Sequence, residues 1–373
     1  MRRKLILFPA LVFILFTLTS CWNYREVNEM AIVIGAALDK GLTNNYMLTV
    51  ELLDVSDGKE TQVSTKVLSI EGETVFDAVR KLISIGGKRG YWGHIRVLVI
   101  SEEIAGENIT QVIRFFRQDA EARSDLYIII AKGCSAKEIL HANKTIGRDI
   151  STSLAQSLEN SQFLSESPPT TLYILSQELK SEISPTLPVV TLLTSEDKTI
   201  PIISGAAVFQ KTKLAGYLNG DETKAMLFIK NEIKGGVMVT KKDPALISLE
   251  ILRNNTKIKT QTDGDRITVD ITVETKAAID EVTCNVEFSN LVIFDDIQSL
   301  SEAQLKDKLE NVIDKARNLR ADIFGFGQKI YENDPKKWDE IKDNYEEEFT
   351  NIKVNIAVKV EIVNTSFIYK QFE

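Results

Sequence analysis

The sequence predicts a multi-domain protein of mixed α+β and α/β class, in which mixed sheets are flanked by helices. In the first half, short apolar runs rich in branched residues alternate with helical stretches, the order that is typical of an α/β layer. In the second half, strands are followed by helices and a final strand, which indicates a strand-helix-strand α+β module. The polar stretch 195–199 before Pro201 predicts the main boundary, between domains 21–198 and 199–373, the first with room for two submodules.

The first domain opens with predicted strands over 31–39, 46–53 and 63–70, which are apolar and rich in branched side chains. Asn44 and Asn45 have turn chemistry, so the first two strands are expected to form a hairpin.

A helix is predicted over 73–85 and is expected to end at Gly86 and Gly87. Its buried stripe is expected to consist of apolar residues at helical spacing, namely Val75, Phe76, Val79, Leu82 and Ile83.

The rest of the first domain continues the alternation of strands and helices. Ser101 is expected to cap a helical stretch that breaks near Gly106, and the segment 135–180 is predicted to be mainly helical, interrupted at Pro168 and Pro169. Predicted extended segments are 95–100, 126–131 and 187–193.

The second domain is expected to begin with a hairpin and a short helix, and to continue with three or four strands between 236 and 286. Turns are predicted at Asn254-Asn255 and at Asp263-Gly264. A long amphipathic helix is predicted over 301–324, and a second helix is expected to carry Trp338, Ile341 and Tyr345 before a final strand over 352–363.

Residues 1–20 are predicted to be a secretory leader that is removed. A basic tip precedes an apolar run over 5–18, which is shorter than the ~20 residues that a spanning helix needs. Cys21 directly follows Leu-Thr-Ser, so we expect its thiol to receive a diacylglycerol and the mature chain to begin there. The alternative is an ordinary cysteine behind an ordinary leader. Two acyl chains hold a protein to a bilayer far better than one.

Composition excludes some classes of partner. The chain has 45 Lys and Arg against 53 Asp and Glu, a formal charge of −8, and the predicted leader removes only basic residues. Nucleic acid is therefore not an expected partner, and an acidic ectodomain gains no overall electrostatic hold on anionic lipid. Cys134 and Cys284 remain besides Cys21; they are expected to be free thiols, with a disulfide between them as the alternative.

No pattern in the sequence predicts a catalytic, metal or cofactor site. His94 and His141 have no metal-ligand spacing, and a structural role is expected for both. The glycines at 86–90 do not fit a phosphate loop, and those at 325–327 are expected to separate two helices. Asp295-Asp296 is expected to lie in a solvated loop.

Two polar segments are candidate contacts for a partner protein. Each has a simpler interpretation, namely a flexible tether for the first and a half-buried helix end for the second. The candidate contact residues are Trp22, Tyr24, Arg25 and Glu26 beside Cys21, and Arg117, Asp119, Glu121 and Arg123.

Several blocks of the sequence match those of a known family in the same order and over nearly the whole mature chain. They are 21–27, 31–35, 93–103, 116–123, 205–209, 322–327 and 335–338. On these blocks the chain resembles the Ger(x)C family, the lipoprotein C subunits of bacterial spore nutrient-germinant receptors. One departure is Tyr345, where many relatives carry tryptophan.

The resemblance implies a non-enzymatic subunit that works with two integral-membrane subunits in the spore inner membrane, where the complex responds to small nutrients. It implies several α/β domains, and Cys21 is the one functional position that carries over. The alternative is a lipoprotein that delivers a small solute to a membrane transporter, with a cleft near 195–201. A lipid-tethered cell-wall hydrolase ranks third, because no acid/base pair or metal site stands out.

Overall fold

A computed structural model describes residues 30–56, 62–119, 121–144, 149–181, 183–195, 198–283 and 291–365. Two mixed sheets flanked by helices make up the described chain, one of nine strands and one of four. The predicted fold class is therefore confirmed. Cys21, the leader, residues 22–26 and Cys284 lie outside the described residues.

The first sheet has the order β3-β2-β1-β5-β6-β7-β8-β9, with β4 paired to β1. Its centre, β1-β5-β6-β7, is parallel, and the strands on either side pair antiparallel. The strands are β1 Met30–Lys40, β2 Tyr46–Ser56, β3 Gln62–Gly72, β4 Arg89–Tyr91, β5 Val97–Ser101, β6 Tyr127–Ala131, β7 Thr186–Ser195, β8 Lys198–Gln210 and β9 Lys213–Leu218.

Helices cover both faces of this sheet, which is why the central strands are apolar throughout. In β5, Leu98 and Ile100 belong to one hydrophobic core, while Val97 and Val99 belong to the core on the opposite face. The helices are α1 Val75–Gly86, α2 Glu102–Glu107, α3 Ile109–Gln118, α4 Ala136–His141, α5 Ile150–Glu159 and α6 Leu172–Glu178.

The local signals of this part of the chain are confirmed, with one correction. The side chain of Ser101 accepts from the N–H of Ile104, and Gly87 ends α1 in the left-handed conformation. The apolar stripe predicted for α1 is only partly buried, because Phe76 and Ile83 are 51% and 41% exposed. These two side chains lie on the flank of α1 that the sheet does not cover.

Two carboxylates on strands of the first sheet form hydrogen bonds to the N-termini of α4 and α5, the helices on the opposite face of that sheet from α1 and α3. Asp39 of β1 accepts from the N–H groups of Ala136 and Lys137, at 2.7 and 2.8 Å, at the start of α4. Glu51 of β2 accepts from the N–H and hydroxyl of Ser151, at 2.9 and 2.7 Å, at the start of α5. Unsatisfied N–H groups at helix N-termini favour such anions.

The second sheet has the order β10-β11-β12-β13, antiparallel except for the last pair. Its strands are β10 Val237–Lys242, β11 Ala245–Asp263, β12 Arg266–Val282 and β13 Lys353–Thr365. The helices of this part are α7 Gly220–Ile229, α8 Leu291–Asn318, α9 Phe326–Asn333, α10 Pro335–Ile341 and α11 Tyr345–Asn351.

Three predictions for the second half need correction. Asn254-Asn255 is not a turn, since β11 runs through it and pairs with Thr275 and Glu274 of β12. Asp295-Asp296 lies within α8 rather than in a loop. Trp338, Ile341 and Tyr345 occupy two short helices joined by a 3₁₀ turn. The predicted break between helices is confirmed at Gly325, whereas Phe326 and Gly327 already belong to α9.

Strand β8 of the first sheet packs into the cores of both sheets. Ala206 and Val208 pack in the core of the second sheet, while Ala207 and Phe209 pack in the core of the first. The predicted boundary at 198/199 falls at the start of β8, where Thr199 pairs with Thr194 of β7, and the first sheet continues to Leu218. The division into two domains therefore stays a prediction, with one strand common to both cores.

Candidate functional site

The structure brings the start of the described chain next to the second predicted contact segment. Met30 pairs in register with Arg89 of β4. The guanidinium of Arg89 in turn donates to the Glu121 carboxylate at 2.8 Å. We call this part of the first sheet, with Met30, Arg89 and residues 117–125, the Met30 end. The segment 22–26 is outside the described residues, but the chain arrives from it at this same end.

Most of the predicted contact residues at the Met30 end have local partners. The Asp119 carboxylate accepts from the N–H of Glu121 at 2.8 Å and so forms a turn after α3. Arg123 donates twice to Asp125, at 2.8 and 2.5 Å, and this bond lowers the pKa of Asp125 below its ordinary value. Arg117 is exposed and has no ion pair with any described residue. Of the four, it is the one left available for a partner.

An aromatic cluster holds the Met30 end rigid. Trp92 is buried, and its ring meets those of Phe115 and Phe116 edge-on at 6.1 and 5.8 Å. The exposed His94 ring packs edge-on against Tyr91 at 5.7 Å. Among the described residues, no group of three or more His, Cys, Asp and Glu side chains is arranged to hold a metal ion.

A buried ion pair joins the two halves of the chain. Glu178 ends α6 and Lys230 follows α7, and the Lys230 ammonium lies 3.3 Å from the Glu178 carboxylate and 3.4 Å from that of Glu232. Burial raises the pKa of Glu178. Burial opposes protonation of Lys230, but the two carboxylates outweigh it and raise the Lys230 pKa. No local pattern indicates this pair, because 52 positions separate its members.

A cavity of about 440 Å³ lies beside this ion pair, between elements of both halves. Its lining combines apolar side chains such as Leu158, Pro169 and Leu227 with the charged pair. The segment 195–201, near which a solute cleft was predicted, belongs to the β7–β8 hairpin, in which Thr194 pairs with Thr199.

Two family models match the chain in sequence order. The model described as "Spore germination protein N-terminal domain" matches residues 23–192, and "Spore germination B3/ GerAC like, C-terminal" matches residues 204–366. The chain belongs to the GerAC-like family of spore germination proteins. The predicted resemblance is thereby confirmed, and with it a role in spore germination.

Relatives of the GerAC-like family match over nearly their full length. Spore germination protein KC of Bacillus subtilis (strain 168) is 23% identical, covering 97% of this chain and 95% of the relative. Spore germination protein A3 of the same organism is 26% identical, covering 92% and 93%. The crystal structure of the GerBC protein has the same fold, with a TM-score of 0.61, 24% identity, and coverage of 88% of this chain and 97% of that one.

The 322–327 block of this GerAC-like chain has a structural role. The buried Asp322 carboxylate accepts from the N–H groups of Gly325 and Gly327, at 2.9 and 2.8 Å, and from the Tyr345 hydroxyl at 2.7 Å. Gly325 begins α9 with φ of 77°, and a Cβ at Gly327 would lie 2.8 Å from the Tyr345 ring. Burial raises the pKa of Asp322. The Tyr345 hydroxyl therefore completes this loop.

Among the described residues of this GerAC-like chain, no helix combines the length and hydropathy that a bilayer crossing requires. The 28 residues of α8 are amphipathic and charged.

Proposed function

We propose that this chain is a lipid-anchored, non-enzymatic subunit of a spore germinant receptor. It acts with two integral-membrane subunits in nutrient-triggered germination, on the extracytoplasmic side of the spore inner membrane. Family membership supports this proposal, since the matched region begins at residue 23, directly after a basic tip, an apolar run and Cys21. Cys21 carries the diacylglycerol.

The anchor contributes by raising local concentration. Proteins tethered to the same membrane meet with effective concentrations up to ~mM, so docking to membrane subunits needs only a modest contact surface. The Met30 end supplies such a surface, because the chain leaves the first sheet there toward Cys21 and Arg117 is unpaired there among the described residues. This placement orients Arg117 toward the membrane in which those subunits lie.

Mass spectrometry of the native protein tests the anchor directly. We expect an N-terminal peptide that begins at Cys21 and carries a diacylglycerol, with Cys134 unmodified by lipid as the internal control. A mature chain that begins elsewhere, or a Cys21 without glyceride, contradicts the proposal.

Germination assays test the receptor role. We expect Cys21→Ala to remove the protein from spore membranes and to slow nutrient-triggered germination, whereas Cys134→Ala changes neither. Normal germination with the variant protein found only in the soluble fraction would show that the tether is dispensable.

A second candidate function is the binding of a small solute, which the cavity beside Glu178 and Lys230 favours. Apolar walls with a few convergent polar groups are typical of small-molecule sites. Calorimetry of the full protein against amino acids and sugars separates the two candidates. Tight binding of one of these solutes favours the solute-binding lipoprotein; no heat of binding favours the receptor subunit without a ligand of its own.

A further inference from the structure

Helix α1 with the segment that follows it, and helix α3, are basic, although the protein as a whole is acidic. Residues 75–91 and 109–118 contain a single acid, Asp77, whereas the chain has a formal charge of −8. The basic residues of these two stretches are Arg80, Lys81, Lys88, Arg89, Arg114 and Arg117. The chain therefore has one positively charged face although its net charge is negative.

Most of these cations are available to a partner. Lys81 pairs with Asp77 and Arg89 with Glu121. The remaining four have no carboxylate of a described residue within ion-pair distance; they are Arg80, Lys88, Arg114 and Arg117. Such a set of unpaired, outward-facing cations attracts anions within about a Debye length.

Exposed apolar side chains accompany the cations. Phe76 and Ile83 lie seven positions apart on one flank of α1, and both are about half exposed. The Arg80 guanidinium lies 4.8 Å from the centre of the Phe76 ring, and that ring lies 6.0 Å from Phe115 of α3. A helix face that combines aromatic and aliphatic residues with Lys and Arg is typical of helices that lie in a membrane interface.

The start of the described chain places this face within reach of a membrane. Met30 pairs beside Arg89, which follows α1 directly. Nine residue steps separate Met30 from Cys21. An extended chain covers about 3.3 Å per residue, so a lipid on Cys21 holds the bilayer within about 30 Å of Met30.

We propose that the face formed by Phe76, Arg80, Ile83, Lys88, Arg114 and Arg117, here the α1–α3 face, lies on the surface of an anionic bilayer. The cations contact lipid phosphates, and Phe76 and Ile83 enter the boundary between headgroups and acyl chains. The inference rests on the proposed lipid anchor, which brings the face to the bilayer. It gives the ectodomain one fixed orientation, with α4 and α5 directed away from the lipid.

The test uses the full lipidated protein in vesicles of phosphatidylcholine, alone or mixed with phosphatidylglycerol. A polarity-sensitive fluorophore is attached at Ile83→Cys, with Tyr331→Cys on α9 as the matched exposed control. Cys134 and Cys284 are replaced by serine in both. We expect a blue shift and quenching by lipid-borne quenchers at position 83 only, and only with phosphatidylglycerol. Equal signals at 83 and 331, or equal signals in both lipids, overturn the proposal.

Charge variants of the unlabelled protein supply the second measurement. Each Lys or Arg near an anionic surface contributes about a fivefold change in partition. We therefore expect Lys88→Gln/Arg117→Gln to weaken binding to anionic vesicles about 25-fold when Cys21→Ala removes the lipid. The control pair Lys257→Gln/Lys259→Gln, exposed on β11, should leave it unchanged. Equal effects of both pairs overturn the α1–α3 face.

Flotation distinguishes failure of this inference from failure of the anchor. If protein with Cys21 floats with neutral vesicles but shows no signal at position 83, the lipid anchor is present and the proposed contact of the α1–α3 face with the bilayer is wrong. Protein that fails to float with neutral vesicles has no lipid anchor. In that case, binding to anionic vesicles that depends on Lys88 and Arg117 still supports the face.

Discussion

The side-chain amide of Gln304 pairs with both main-chain groups of Lys241, accepting from its N–H at 3.0 Å and donating to its C=O at 2.8 Å. Lys241 lies in β10, at one edge of the second sheet. The Gln304 amide thus makes the two main-chain hydrogen bonds that a neighbouring strand would make at this edge. Unpaired strand edges are sites of aggregation, and covering them is a common protection.

The same helix also protects the opposite edge. Glu302 accepts from the N–H of Val360 at 3.0 Å, and Gln298 accepts from the N–H of Ile362 at 2.9 Å, both in β13. Helix α8 thus bridges the two edges of the sheet that it packs against. Its polar residues close the second half against strand addition, so partner docking through these edges is disfavoured.

We expect Gln304→Ala to expose the edge of β10. The loss of two hydrogen bonds to Lys241 lowers the free energy of unfolding by about 1 kcal/mol. It also promotes self-association through the freed main chain. Urea denaturation and light scattering measure the two effects. Lys306→Ala, at an exposed position of the same helix, is the control and should leave self-association unchanged.

The loop around Asp322 predicts a pH-dependent effect of Tyr345→Phe. The Tyr345 hydroxyl stabilises the ionised form of Asp322, so its removal should lower the free energy of unfolding by about 1–2 kcal/mol at pH values above the raised Asp322 pKa. Burial raises the Asp322 pKa, so the folded chain holds this proton more readily than the unfolded chain. The stability of the folded state therefore falls as the pH rises through the raised pKa.

We expect the deficit of Tyr345→Phe to shrink toward acid pH, where Asp322 is protonated in both proteins. Denaturation curves across pH measure this, with the exposed Tyr331→Phe as the control. A deficit that is the same at every pH would assign the role of Tyr345 to packing alone.

Glu71 predicts the opposite pH dependence. Its carboxylate accepts from the Thr43 hydroxyl and from the N–H groups of Leu42, Thr43 and Asn44 in the β1–β2 turn, which lowers the pKa of Glu71 to about 2. A lowered carboxyl pKa contributes stability above its ordinary value of 4.5 and loses it as the pH falls toward about 2.

We expect Glu71→Gln to remove this part of the acid dependence while leaving the turn able to form. NMR titration of the Glu71 carboxyl carbon gives the pKa directly, and denaturation between pH 4.5 and about 2 compares the two proteins. An unshifted titration would mean that the turn opens in solution.

Gly35, in the 31–35 block of the resemblance, is closely packed, so we expect a side chain at this position to destabilise the fold. A Cβ at Gly35 would lie 1.8 Å from the Ser151 hydroxyl oxygen, in a contact that holds α5 on β1. Gly35→Ala should therefore lower the free energy of unfolding by about 2 kcal/mol. Ser151→Gly should recover part of it. Gly106→Ala, where a Cβ meets nothing within 4 Å, is the control and should not destabilise the helix.

Local signals made much of the fold predictable from sequence. The Asn44-Asn45 turn, the Ser101 cap and the helix break at Gly325 depend on nearby residues. Asn254 was predicted to form a turn and is in a strand, because its side chain accepts from Thr275 across the sheet at 2.9 Å. Tertiary pairing there overrides the local preference for a turn.

The site was less predictable, because its residues are distant in sequence. The segment 117–123 was a predicted contact, but 32 positions separate Arg89 from Glu121, and no local pattern indicates their pairing. The helical spacing of apolar residues predicts that Phe76 and Ile83 are buried, but both are exposed. Apolar spacing alone does not show which flank of a helix the sheet covers. The basic residues beside them were the signal that could have identified an exposed face.

The buried ion pair of Glu178 and Lys230, between the two halves, predicts the largest loss of stability from a single substitution. Lys230→Met leaves the Glu178 carboxylate buried without its ammonium partner, 3.3 Å away in the native chain. Removing one member of a buried pair typically costs about 3–5 kcal/mol, because the other charge is left uncompensated. We expect the variant to unfold at lower urea concentration by at least the lower part of that range.

A double-mutant cycle shows whether the loss comes from the pair itself. Glu178→Leu combined with Lys230→Met replaces both charges by apolar groups, so the double variant should be more stable than the sum of the single effects predicts. Lys224→Met, which disrupts the more exposed pair with Glu166, is the control and should have a smaller effect. Additive effects of Glu178→Leu and Lys230→Met would show that the Glu178 carboxylate finds another hydrogen-bond donor when Lys230 is replaced. The two halves would then be held together by strand β8, which packs in both cores, rather than by this ion pair.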